Sequence, residues 1–225
     1  MNIIEASNML FSMKGMLKTS FKAIQEIRNQ FGFQGRRAFN QIEIDQESST
    51  AKLTDKNGNC TIIDLENVEA VIRAGAWVGC FNSTDKIYFT SRKSLLNFRR
   101  IHSFVMREEL VKYEGFTEAT GLQIVVNHLN GDTMDNRKEN LEVVTQAENV
   151  LFADNRIRSN NKTGTTGVVW REDLNKYTVQ IVGKHVGLYK TFEEAEAAAN
   201  QARQDELNRL QQLRLDFLKK HGFMS

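Results

Sequence analysis

Proline is absent from all 225 residues, although globular chains use it at about 5%. Turns must then be made by glycine and asparagine; no functional reading attaches to the absence. Cysteine is nearly as scarce. Neither Cys60 nor Cys80 has a second thiol or a histidine at ligand spacing, which excludes a thiolate metal cluster and leaves two small side chains suited to a reducing compartment. No apolar run reaches membrane-spanning length. Residues 1–11 carry Glu5 inside their apolar stretch and have no basic leader, unlike a secretory signal. A cytosolic protein with no membrane partner is expected. Charge of one sign is lacking too: 30 Lys and Arg face 28 Asp and Glu, for a net charge of +2. Total charge therefore does not mark a nucleic-acid binder, and the distribution of basic residues has to decide.

What is present is ordinary for packed domains, with 40% hydrophobic and 26% charged residues. From 9 to 31, Met9, Met13, Met16, Leu17, Phe21, Ile24, Ile27 and Phe31 recur at helical spacing, with Lys14, Lys18, Lys22 and Arg28 off that stripe. Gly32, Gly35 and Arg36-Arg37 end the pattern, so 1–38 reads as a basic helical arm that docks on the main domain or touches a DNA backbone. From 41 to 89 the period changes to that of short strands. Ile42 and Ile44 alternate with polar residues, and 51–54 and 60–63 flank the turn Lys56-Asn57-Gly58-Asn59. Asp64 is expected to cap a short helix through Val68, Val71 and Ile72. Residues 77–81 and 86–90 suggest a second hairpin, and 92–106 a basic amphipathic helix holding Arg99, Arg100 and His102.

Chemistry concentrates further along. Ile124-Val125-Val126-Asn127-His128 reads as a strand running into a turn at Asn130-Gly131. Asp135-Asn136-Arg137-Lys138-Glu139-Asn140 is a polar loop, and Leu141-Glu142-Val143-Val144 a second strand. Thr145 with Glu148 three residues later forms a capping box, so a helix opens there with Asn149 in its first turn. Taken singly, these residues make turns and a satisfied polar strand end. Taken together, they aim polar groups at one place.

Asn127-His128-Leu129-Asn130-Gly131-Asp132, Asn136-Arg137-Lys138-Glu139-Asn140-Leu141 and Val144-Thr145-Gln146-Ala147-Glu148-Asn149 resemble the HNH motif of phage homing endonucleases. The resemblance implies a ββα-metal centre that hydrolyses a DNA phosphodiester. His128 would be the general base, Asn140 would orient its imidazole, and Asn127 and Asn149 would offer side-chain oxygens to one divalent metal, Mg²⁺ with Mn²⁺ as the second choice. A neutral imidazole suits proton abstraction near pH 7, and hard oxygen ligands suit Mg²⁺. Better-known members carry aspartate where this chain has Asn127, which brings no charge and implies weaker metal affinity. His102 resembles a histidine upstream of the motif in relatives, and is expected to be buried and structural.

Residues 153–163 are polar and basic, the composition of a linker, with Arg156, Arg158 and Lys162 as candidate DNA contacts. Beyond them, Gly164-Thr165-Thr166-Gly167-Val168-Val169-Trp170, Lys176-Tyr177-Thr178-Val179-Gln180-Ile181 and Val186-Gly187-Leu188-Tyr189-Lys190-Thr191-Phe192 resemble the Apetala/ethylene-response-factor type DNA-binding domain. In that family three antiparallel strands enter the major groove with a helix behind them. Period-2 alternation assigns Val168 and Trp170, then Tyr177, Val179 and Ile181, then Val186 and Leu188 to the core face. The opposite face would offer Val169, Arg171, Thr178, Gln180, Lys184 and His185, with Lys176 beside them, to DNA. Ala195, Ala198, Ala202, Leu207, Leu210, Leu213 and Phe217 mark a long final helix. Its second half outruns the sheet and packs on the nuclease part or on another copy of the chain.

The expected fold class is α+β: an arm (1–38), a mixed scaffold (39–152) with the nuclease motif at 124–152, a linker (153–163), and a sheet-plus-helix module (164–225). The expected function is metal-dependent endonuclease action on double-stranded DNA in a host cytoplasm. The rival is a DNA-binding regulator with an inactive HNH scaffold, motivated by neutral Asn127. An RNA-binding module fits less well, because the exposed sheet face lacks paired aromatics for stacking bases.

Overall fold

Alternation of apolar and polar residues over 41–64 produces three short antiparallel strands, β1 (Gln41–Asp45), β2 (Thr50–Thr54) and β3 (Cys60–Asp64), in the order β1-β2-β3. The computed structural model from which this is read describes residues 1–12, 30, 40–82, 86–91, 98–152, 161 and 163–224. The basic positions of the amino-terminal arm and most of the linker, including Arg156, Arg158 and Lys162, lie outside the described residues. Contacts divide the chain into two compact units, Met1–Val111 with Val126–Val143, and Lys112–Val125 with Val144–Ser225. Residues 144–152, expected with the nuclease scaffold, thus fall in the second unit. Among the described residues no helix is long and apolar enough to cross a membrane.

In the first unit, Ile42, Ala51, Leu53 and Ile63 point inward from the sheet, while Ile44 is left 37% exposed. The β2–β3 connection is organised by a side chain rather than by Asn-Gly alone. Buried Asp55 accepts hydrogen bonds from the amides of Asn57, Asn59 and Gly79 and from the Asn59 side chain. Helix α1 (Ile3–Ser12) begins where Asn2 accepts from the amides of Ile4 and Glu5. It covers the free edge of β1: Asn8 exchanges two hydrogen bonds with the backbone of Ile42. Asp64 does not cap the following helix; its carboxylate accepts from the Lys138 amide instead, and a 3-10 turn leads into α2 (Val68–Ala74).

The hairpin of β4 (Val78–Phe81) and β5 (Ile87–Thr90) forms as expected. Of the helix expected over 92–106, residues 98–100 are not helical, and the described helices are α3 (Ile101–Val105) and α4 (Arg107–Val111). Residues 92–97 are outside the described residues; Arg100 is extended and bridges Thr90 of the hairpin, and the Arg99 carbonyl accepts from the Ser91 amide. Trp77, Phe89, Ile101, Phe104 and Val105 complete this core.

A two-stranded sheet pairs β6 (Ile124–His128) with β7 (Leu141–Thr145). The second unit holds α5 (Phe116–Thr120), α6 (Gln146–Phe152), an antiparallel sheet of β8 (Val168–Arg171), β9 (Lys176–Ile181) and β10 (Lys184–Tyr189), and the 29-residue α7 (Phe192–Lys220). Helix α7 opens on a capping box made by Thr191 and Glu194. Small Ala195 and Ala199 let its first turns approach Val168, Val179 and Ile181 closely. At Gly167 a Cβ would lie 2.6 Å from the Gln180 carbonyl, so only glycine fits there, at φ +84°. The far half of α7 finds its cover inside the chain. Phe217 packs on Phe116 and Tyr113, with ring centroids 5.1 and 6.4 Å away.

Candidate active site

Residues 129–140 bulge out between the two strands and would be expensive to order without internal bonds. Gly131 turns the chain, its amide donating to the His128 carbonyl. Buried Asn140 then ties the loop across itself: its oxygen accepts from the Asn130 amide at 2.9 Å and its nitrogen donates to the Asp135 carbonyl at 2.8 Å. The Asp135 carboxylate receives the Asn130 side chain and a two-pronged bond from Arg137. Arg137 holds the Asp135 carboxyl below its ordinary value against the opposing effect of burial. The loop also joins the first sheet as an added edge, since Ile62 donates to the Met134 carbonyl and accepts from the Asn136 amide. Thr133 donates to the Ile87 carbonyl at 2.6 Å.

Into this frame β6 delivers His128, only 8% exposed. Its Nε2 lies 3.1 Å from Oδ1 of Asn136. The direction of that bond is set by two carbonyls that can only accept. Thr61 donates its hydroxyl hydrogen to the Met134 carbonyl at 2.8 Å, so it must accept from Nδ2 of Asn136 at 2.7 Å. The same Nδ2 donates to the Thr133 carbonyl at 3.2 Å. Oδ1 of Asn136 is thereby turned to the ring, Nε2 carries the proton, and Nδ1 keeps its lone pair. Nδ1 has no hydrogen-bond partner among the described residues.

Other rings surround the imidazole. His102 meets it edge-on at 5.1 Å and Tyr88 at 6.3 Å, and the Arg100 guanidinium lies 4.8 Å from the Tyr88 ring centre. Burial pushes the His128 ring below its ordinary pKa; the Asn136 bond opposes this, the charge of Lys86 adds to it, and Asp132 and Asp135 oppose it. His102 is buried as expected, and desolvation, with the charges of His128 and Arg100, takes it down to about 3. Both rings are therefore neutral near pH 7.

Asn127, one residue earlier on the strand, is half-buried. In the second unit, Thr145 and Glu148 form the expected capping box, with amide-to-side-chain bonds of 2.7 and 3.1 Å, and half-buried Asn149 follows in the first turn of α6. The side-chain amides of Asn127 and Asn149 make no hydrogen bond among the described residues. Among those residues there is also no group of three or more His, Cys, Asp or Glu able to hold a metal.

Residues 120–151 match the HNH endonuclease family model. Over 34 residues, 15% of the chain, the sequence is 65% identical to a protein named as an uncharacterized HNH endonuclease from Acanthamoeba polyphaga mimivirus. That stretch is 8% of the viral protein's length. No solved structure matches the chain.

Within the HNH segment, one expected contact is replaced by another. Asn140 does not reach the imidazole; Asn136 does, and Asn140 ties the loop that carries Asn136. Both asparagines stand in the motif, and only their side-chain directions separate the two tasks. Thr61 and Tyr88 come from distant strands and leave no local signal.

The sheet of the second unit brings Val169, Arg171, Lys176, Thr178, Gln180 and His185 to one open face, because cross-strand partners share a face and these pair as Val169–Thr178, Arg171–Lys176 and Gln180–His185. Lys184 is not among them. It pairs with core-facing Ile181, and its Nζ meets the Glu206 carboxylate of α7 at 3.1 Å. The expected core role of Val186 and Leu188 also fails. A bulge between His185 and Gly187 inserts Val186 as an extra residue and reverses the parity beyond it. Gly187 and Tyr189 turn inward, while Leu188 joins the open face, 44% exposed. Arg171 is paired with Asp173 at 2.7 Å, and Gln180 bonds the Gly183 carbonyl at 2.9 Å.

Proposed function

We propose that this chain is a metal-dependent endonuclease that cuts double-stranded DNA, with His128 as general base acting through Nδ1. The observation that carries the reading is the one-way hydrogen-bond chain from His128 through Asn136 to two backbone carbonyls, within the segment that matches HNH endonucleases. It leaves the unshared Nδ1 pair on a neutral ring, the form that takes a proton from water. As that proton moves to Nδ1, the water oxygen bonds to the scissile phosphorus and the bond to the leaving sugar oxygen breaks. Asn136 holds the tautomer, and Asn140 holds the loop.

By resemblance to HNH endonucleases, Asn127 and Asn149 would each offer an amide oxygen to the divalent ion. Their donor chemistry fits: both are hard oxygen ligands without other partners among the described residues, and Mg²⁺ uses only one or two protein ligands beside water and phosphate. When bound, the ion supplies Lewis-acid stabilisation of the phosphate. The open face with Arg171, Lys176, Gln180 and His185 is the surface that grips the duplex, in the manner of an Apetala-type sheet. A single HNH segment acting alone would nick one strand.

The test is supercoiled plasmid incubated with the protein in Mg²⁺, Mn²⁺ or EDTA, beside His128→Ala and Asn127→Asp. Metal-dependent nicks that disappear in His128→Ala support the reading, and Asn127→Asp should then work at lower metal concentration. Wild-type protein that binds the plasmid and leaves it intact in both metals, with nicking restored by Asn127→Asp, identifies a DNA-binding regulator instead.

A further inference from the structure

Helix α6 carries Asn149, and its first turn is secured in an unusual way. Capping-box glutamates generally sit in water, as Glu194 does at the start of α7. Glu148 is only 1% exposed. Its carboxylate receives the Thr145 amide and, at the same time, three contacts from Arg214: Nε at 3.1 and 2.9 Å and Nη2 at 2.9 Å. Arg214 is itself buried, and its Nη1 donates to the Tyr113 hydroxyl at 3.4 Å. A carboxylate out of water is costly to bury, and such a partner holds it in place. Arg214 lies on α7, far beyond the residues that match the HNH family model.

We propose that Arg214 is a positioning residue for Asn149: through Glu148 it fixes the first turn of α6, which carries that side chain. The proposal rests on the nuclease reading only for the ligand role of Asn149. Arg214→Met leaves Glu148 buried without its cation, and the first turn should loosen. Glu148→Gln combined with Arg214→Met removes both charges, yet glutamine still serves a capping box, so the double variant should regain the fold of the turn.

Three variants, Arg214→Met, Arg214→Lys and Glu148→Gln/Arg214→Met, are compared with wild type by amide hydrogen exchange over 144–152, by Mn²⁺ titration calorimetry, and by nicking kinetics. Arg214→Met should speed exchange in α6 by about tenfold or more and weaken Mn²⁺ binding by about 10- to 100-fold, with KM for DNA unchanged. The double variant should return exchange and Mn²⁺ affinity towards wild type, and Arg214→Lys, lacking the forked contact, should fall between. Unchanged exchange and Mn²⁺ affinity in Arg214→Met, or a double variant as impaired as the single one, overturns the proposal. If wild type cuts nothing in any metal, the nuclease reading falls, and exchange in α6 alone still decides whether Arg214 holds the helix.

Discussion

His128 donates its Nε2 hydrogen to the side-chain oxygen of Asn136 at 3.1 Å, and Asn136 is left no freedom to turn over, because both its amide hydrogens are taken by Thr61 and Thr133. Removing that acceptor should leave the ring in place with its tautomer unset. With His128 as the proposed base, Asn136→Ala is expected to lower kcat by about 10- to 100-fold with KM for DNA little changed, the scale of losing an outer-shell partner in a metal site. Nitrogen chemical shifts of the His128 ring supply a second reading: proton on Nε2 in wild type, a mixture of tautomers in the variant. A wild-type ring protonated on Nδ1 contradicts the assignment.

Asn140→Ala should behave differently. It strips partners from the part-buried Asn130 amide and the buried Asp135 carbonyl, and an unsatisfied buried group costs about 1–3 kcal/mol. A loss of about 1–3 kcal/mol in urea unfolding is expected, with cleavage by the folded fraction reduced far less than in Asn136→Ala. Equal stability in the two proteins would show that the loop is held by other means.

The sheet face makes a prediction about DNA. Arg171→Ala and Gln180→Ala should each weaken duplex binding by about 1–3 kcal/mol, read by fluorescence anisotropy at one fixed salt concentration. Lys184→Ala should leave affinity nearly unchanged, since Lys184 pairs with core-facing Ile181 and lies on the other face of the sheet. The reverse ranking would remove this face from the DNA contact.

Glu206 gives the pH dependence. Its bond to Arg209 first, and to Lys184 second, holds its carboxyl down at about 2 from an ordinary 4.5. A depressed folded-state value means stability that is fully present above 4.5 and is lost as pH falls through about 2. The cations are largely in solvent, 51% and 63% exposed, so Glu206→Gln should cost only about 0.5–1 kcal/mol at pH 7. The gap from wild type should close as acid is added. Thermal melts across pH 7 to 2 read it, and a constant gap would show that the charge is not what matters.

Sequence reasoning reached what is local. The Thr145–Glu148 box, the strand-turn-strand around His128 and the hairpin over 78–90 depend on residues within a few positions of one another. It failed where one residue changes parity or where the partner is distant. The bulge at Val186 follows from no composition rule, and it alone moves Leu188 to the open face. Lys184 reads as a free cation until the register with Ile181 turns it towards α7. Asn136 and Asn140 are the same chemical group four residues apart, and only the folded loop shows which one meets the imidazole.

The Glu148–Arg214 pair bears on how such a chain could be recombined. The stretch recognisable by its letters ends at residue 151, yet a crossover placed after it would strand an acid inside the fold. A viable graft has to carry the last helix along, or rewrite Glu148 as glutamine.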